Sequence, residues 1–167
     1  MKPEILAILA IVLLVGIIPL KIALGSKTAN RKLFSKGKYE QQQKITGCKL
    51  HFSAQTTIEK IKYQLSQHVI TEETAPKIYR KLYIQKQNET GIVYAMGNKL
   101  AIAFVAILQF SESNGTVTAN FSFSSWLEEN GVTNAVSSMQ DLIDSIKEAF
   151  LAADPNMQVS ETKQTVK

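Results

Sequence analysis

Residues 92–126 read IVYAMGNKLAIAFVAILQFSESNGTVTANFSFSSW, and the punctuation of this stretch decides the fold. Gly97-Asn98 and Ser113-Asn114-Gly115 separate three apolar runs, and Gly and Asn accept the positive φ that tight hairpin turns require. Thr116–Trp126 alternates with period two. Val117, Ala119, Phe121 and Phe123 fall on one face, and Thr116, Thr118, Asn120 and Ser122 on the other, as in a strand with one wet side. Leu100–Phe110 (LAIAFVAILQF) is apolar on both faces. Leu100, Ile102, Phe104, Ala106 and Leu108 form one, and Ala101, Ala103, Val105 and Ile107 the other. Its 11 residues fall short of the roughly 20 that span a bilayer, so it is expected as a central strand covered on both sides.

Upstream, Lys77–Gln87 is expected as a strand and Asn88-Glu-Thr-Gly91 as a turn into Ile92–Met96, which makes a four-stranded antiparallel meander. Earlier still, Cys48–Ser53 alternates, with Leu50 and Phe52 on one face. Thr56 and Glu59 have the spacing of a capping box ahead of a helix over 57–70, whose stripe is Ile58, Ile61, Leu65 and Val69. Thr71–Pro76 breaks that helix. Downstream, Ala135, Met139, Leu142, Ile143, Ile146, Ala149 and Phe150 place a long helix over 135–153. Thr133 or Asn134 is its expected cap, Asp154-Pro155 its end, and 156–167 a polar tail.

The net charge of +5 is unevenly spread. Residues 1–44 hold eight basic and two acidic side chains, whereas the rest of the chain holds eleven basic and twelve acidic. A nucleic-acid-binding domain would carry its positive charge on the folded body, so nucleic acid is excluded as a partner.

Ile5–Leu24, including Leu13 and Leu20, carries one charge, Lys21 near its end, and 20 residues of helix match a bilayer core of about 30 Å. A retained transmembrane anchor, a signal peptide cut near Gly25 and a buried helix all fit. The apolar run is longer than a signal core of roughly 7–15 residues, and it has no polar face. The anchor is therefore the reading adopted here. Lys2 alone among basic side chains precedes the uncharged run Ile5–Leu20, while Lys21, Lys27, Arg31, Lys32, Lys36 and Lys38 follow it, which puts the body in the cytoplasm and those six cations beside anionic headgroups. The alternative is export after cleavage. One cysteine, Cys48, agrees with a reducing compartment.

The expected organisation is an anchor over 1–25, a basic juxtamembrane linker over 26–46, an α+β domain over 47–155 and the tail. Its order is an N-terminal transmembrane helix, then strand, helix, four-stranded antiparallel meander and long C-terminal helix. Over 48–154 this order resembles the helix-grip (START-like) class, in which an antiparallel sheet curls around a C-terminal helix. The layout is also similar to small single-pass bacterial membrane proteins.

The sequence contains no phosphate loop, dinucleotide glycine pattern, zincin or nucleophile-elbow motif. His51 and His68 have no identifiable partner, and the Glu72-Glu73 and Glu128-Glu129 carboxylates diverge as neighbours in loops. No catalytic residue, metal ligand or cofactor is expected, and an enzyme would need convergent groups. Two function classes remain. The first is a membrane-anchored, non-catalytic interaction domain that self-associates or binds a membrane protein. Its contact would be Ala101, Ala103, Val105 and Ile107, which lie uncovered if both helices share one side of the sheet. The second is a binder of a small apolar ligand or lipid between sheet and C-terminal helix. Tyr94, Phe104, Phe110, Phe121, Phe123 and Phe150 would line either that pocket or a solid core.

Overall fold

A computed structural model describes residues 44–129 and 132–163. The span residues Ile5, Leu13, Leu20 and Leu24 and the cations Lys21, Lys27, Arg31, Lys32, Lys36 and Lys38 lie outside them. Among the described residues no helix is long and apolar enough to cross a membrane.

The protein is an α+β fold built on an antiparallel sheet with a long C-terminal helix. Its elements are β1 (Cys48–Ala54), α1 (Ile58–His68), β2 (Lys81–Asn88), β3 (Gly91–Gly97), β4 (Ile102–Ser113) and β5 (Thr116–Trp126). A two-stranded ribbon, β6 (Glu128–Glu129) and β7 (Val132–Thr133), leads into α2 (Val136–Ala153) and β8 (Gln158–Lys163). The six-stranded sheet has the order β2-β3-β4-β5-β1-β8. The meander is thus present, and β1 returns to pair with its last strand.

The helical stripes bury as their spacing requires. Ile61, Leu65 and Val69 of the first helical stretch and Met139, Leu142, Ile143, Ile146, Ala149 and Phe150 of α2 join the inner face of the sheet in one core. The two helices pack on each other and both lie on that face, α1 against β4 and α2 against β1. Phe52 stacks on Phe150 with ring centroids 4.3 Å apart, and Phe123 meets Phe104 and Phe121 edge-on at 5.4 and 5.1 Å.

Several boundaries differ from expectation. Thr57, not Thr56, caps α1. Its hydroxyl accepts from the Lys60 amide, so the reciprocal Glu59 contact of a capping box does not form, and Glu112 of β4 accepts from the Ile58 amide instead. Neither Thr133 nor Asn134 caps α2. Thr133 pairs within the ribbon, Asn134 donates to Glu129, and Ala135 takes the cap position. β2 starts at Lys81 because 76–80 is engaged elsewhere. The Pro76 and Ile78 carbonyls accept from the Lys99 amide and the Asn98 side chain.

The polar tail is corrected to a strand over part of its length. Backbone pairing needs no apolar pattern, so Gln158–Lys163 adds to the β1 edge with Phe52 opposite Val159.

The largest departure is in β4. Its register with β3 passes from Met96↔Phe104 to Gly97↔Ile102, leaving Ala103 as an extra, bulged residue. A bulge reverses the facing of what precedes it. Ala103 turns into the core, while Ile102 moves to the outer face with Gly97, Val105 and Ile107. Strict alternation had put Ile102 inside and Ala103 outside.

Candidate functional site

Two features of this architecture can take a partner. The first is the outer face of the sheet, where neither helix lies. Along β5 and β1 it is polar, with Thr116, Thr118, Asn120, Ser122, Lys49, His51 and Ser53 in cross-strand rows. Asn120 and His51 hydrogen-bond there at 2.9 Å. Across β3 and β4 the same face is apolar. Val93, Val105 and Ile107 are half-buried, Ile102 is exposed, and Tyr83 and Ala95 are buried outside the main core.

The expected contact set is therefore divided. Val105 and Ile107 sit on the outer face and Ala101 precedes it, half-buried, whereas Ala103 is a core residue. Sequence reasoning missed Ile102, Val93 and Tyr83. Val93 could have been found from the alternation of Ile92–Met96, but Ile102 could not, because the bulge that turns it is set by the neighbouring strand.

The second feature is a cleft of about 360 Å³ between β2–β3 and the N-terminal half of α2. Val69, Leu82, Met96 and Leu142 supply its apolar lining, and Ser138, Ser145, Asp141, Glu72, Arg80 and Lys81 its polar groups. Glu72 pairs with Lys81 at 2.6 Å, and His68 stands 3.8 Å from Glu148 of α2. A second hollow of about 260 Å³ shares Val69, Ile70 and Thr71 and reaches Ile84, Ile92 and Tyr94. Burial pushes the Tyr94 phenol well above its ordinary value, so it stays protonated.

The aromatic set expected as pocket or core is mostly core. Phe104, Phe121 and Phe150 are buried among helices and sheet, Phe123 and Phe110 nearly so; Tyr94 borders the hollow beside α1, and Phe121 borders one on the β1–β5 face. The two hollows beside the helices lie instead at the β2 side of the sheet.

Among the described residues no group of His, Cys, Asp and Glu is placed to hold a metal. Glu72 is committed to Lys81, and Glu128 and Glu129 are exposed, accepting from Trp126 and Asn134. Cys48 is buried at the start of β1. Compared with known proteins, the chain matches no family model and no curated sequence.

Proposed function

We propose that this chain is a membrane-anchored, non-catalytic interaction domain that self-associates through the outer face of β3 and β4. The anchor is Ile5–Leu24, the six cations of 21–38 meet anionic headgroups, and the folded body stands in the cytoplasm. The observation that carries the reading is the apolar stripe of Val93, Ile102, Val105 and Ile107 on a sheet face that neither α1 nor α2 covers. Such a stripe loses contact with water when a second copy stacks on it, and a two-fold axis lets the same patch serve both partners. The polar rows of β5 and β1 bound the contact on one side.

The test is the oligomeric state of the full chain in mild detergent. Wild type should sediment as a dimer, and Val105→Glu/Ile107→Glu should be monomeric with an intact melting transition. A monomeric wild type overturns the proposal, as does a dimer that survives the double substitution.

A second reading rests on the cleft beside α2, whose volume and apolar lining suit a small apolar ligand or a lipid chain. Native mass spectrometry of the full chain should then show a bound adduct, and Leu82→Trp, which fills the cleft, should remove it.

A further inference from the structure

We infer that the domain touches the bilayer a second time, through Ile78, Tyr79 and Leu100 at one end of the sheet, with Lys77, Arg80 and Lys99 set against anionic headgroups. This rests on the anchored reading above and adds to it a defined orientation of the body.

The three side chains are among the most exposed large apolar groups of the described residues, at 75, 76 and 89 %. They come from two separate segments that the fold ties together. The Lys99 amide donates to the Pro76 carbonyl at 2.9 Å, and the Asn98 side chain donates to the Ile78 carbonyl at 2.7 Å. Asn98 also organises its own loop, its Oδ1 accepting from the Leu100 and Ala101 amides. The tip thus presents apolar side chains while much of its backbone is already paired, which is what a surface entering an apolar medium needs.

Its composition fits a lipid interface. Two aliphatic side chains and a tyrosine are flanked in the chain by Lys77, Arg80, Lys81 and Lys99, and no acidic residue occurs in 74–82 or 97–102. Lys81 is held by Glu72, leaving Lys77, Arg80 and Lys99 for headgroups. Acids near this end are Glu72 and Glu73, Asp141 of α2 in the cleft with Arg80, Glu161 opposite Leu50, and Glu128 and Glu129 on the ribbon after β5, which accept from Trp126 and Asn134.

Topology adds the direction in which the chain enters the sheet. Gly97 faces Lys81 and Ile102, Phe104 faces Trp126, Lys49 faces Ser122 and Cys48 faces Lys163. The pairs of Gly97, Ile102 and Trp126 lie at the tip end, whereas Lys49, next to the start of β1, is level with Ser122, Ile107 and Val93, midway along β4 and β3. β1 therefore starts in mid-sheet and runs away from the tip. Three strand spacings separate β1 from β3, or about 14 Å. At the opposite end the hairpin turns Glu89-Thr90 and Asn114-Gly115 carry no apolar side chain. A body whose first strand runs away from an apolar tip carrying three cations fits a bilayer as the occupant better than a soluble partner.

The experiment uses the full chain reconstituted in phosphatidylcholine vesicles with and without phosphatidylglycerol. With Trp126→Phe as background, Leu100→Trp places the sole indole at the tip and Glu89→Trp places it at the far turn. Acyl chains brominated near the headgroup should quench position 100 several-fold more than position 89. Quenching should need phosphatidylglycerol and fall in Lys77→Glu/Arg80→Glu/Lys99→Glu. Equal quenching at the two positions overturns the inference. So does a shift at position 100 that follows protein density and ignores brominated lipid, since a second copy then covers the tip. Retention of the chain in the vesicles under alkaline extraction reads the anchor separately, so loss of the tip contact and loss of the anchor are distinguishable.

Discussion

Asp154 shows how one side chain can close a fold. Its carboxylate accepts from the Gln55 amide at 2.8 Å and the Asn156 amide at 2.9 Å, joining the end of β1 to the turn between α2 and β8. The Gln55 bond foremost, then that to Asn156, holds the carboxyl below its ordinary range. A lowered folded value means that the unfolded chain binds the proton more readily, so the stability is present above the ordinary carboxylate range and drains away as pH falls through the folded value. Asp154→Asn should lower the melting temperature at neutral pH and flatten its acid limb, as thermal melts across pH would show. Ile143 tests the core in the same way. It is 3 % exposed, and Ile143→Asp would bury an unpaired charge at a cost of about 3–5 kcal/mol in denaturant unfolding. The glycines at the two ends of β4 differ in mechanism. A Cβ at Gly97 would lie 2.5 Å from the Ala101 carbonyl oxygen, whereas one at Gly115 meets nothing but demands φ +73° of an L residue. Gly97→Ala should cost about 2–3 kcal/mol by displacing backbone, and Gly115→Ala about 1 kcal/mol by strain, both read from unfolding midpoints.

At the scale of elements, β8 and the β4 bulge shape the surfaces left for partners. β8 is a polar strand at the sheet edge, and β1 lies between it and β5. In an antiparallel ladder alternate residues point their amides to opposite neighbours. A chain ending at Met157 should therefore lose hydrogen-exchange protection at alternate β1 amides, those that face β8, while those facing β5 keep theirs. Uniform loss along β1 would mean that β8 holds the whole sheet edge in place. The bulge at Ala103 matters for another reason. It carries Ile102 to the outer face beside Val105 and Ile107, so the apolar stripe proposed for self-association exists in its present form because one residue is looped into the core.

For the whole molecule, the proposals set a definite orientation: anchor, basic linker and tip on the membrane side, with the hairpin turns 89–90 and 114–115 pointing away. Cys48 is 4 % exposed, so a thiol reagent meets it poorly in the folded protein. Glu89→Cys in a Cys48→Ser background puts the only thiol on an exposed turn. With a membrane-impermeant reagent it should label only after cells are permeabilised. Labelling of intact cells would reverse the topology, and a mature chain starting at Ser26 would replace the anchor with a cleaved signal.

The sequence by itself determined the two long helices and the strands of the meander. Thr116–Trp126 was legible to the residue because one face is wet and the other dry, and the α2 stripe was legible because seven apolar residues recur at helical spacing. Local pattern carries that information, since solvent contact differs from one side chain to the next. What only the tertiary structure decided lies where pairing, not patterning, chooses. Gln158–Lys163 becomes a strand because the β1 edge offers backbone groups, and its side chains announce nothing. Lys77–Arg80 leaves β2 because Asn98 and Lys99 bind the carbonyls of Ile78 and Pro76. The site residues divided along the same line. Val105 and Ile107 were readable from alternation, but Ile102 and the tip formed by Ile78, Tyr79 and Leu100 were not. A one-residue bulge reverses facing, and residues twenty apart become neighbours only through the sheet that joins them.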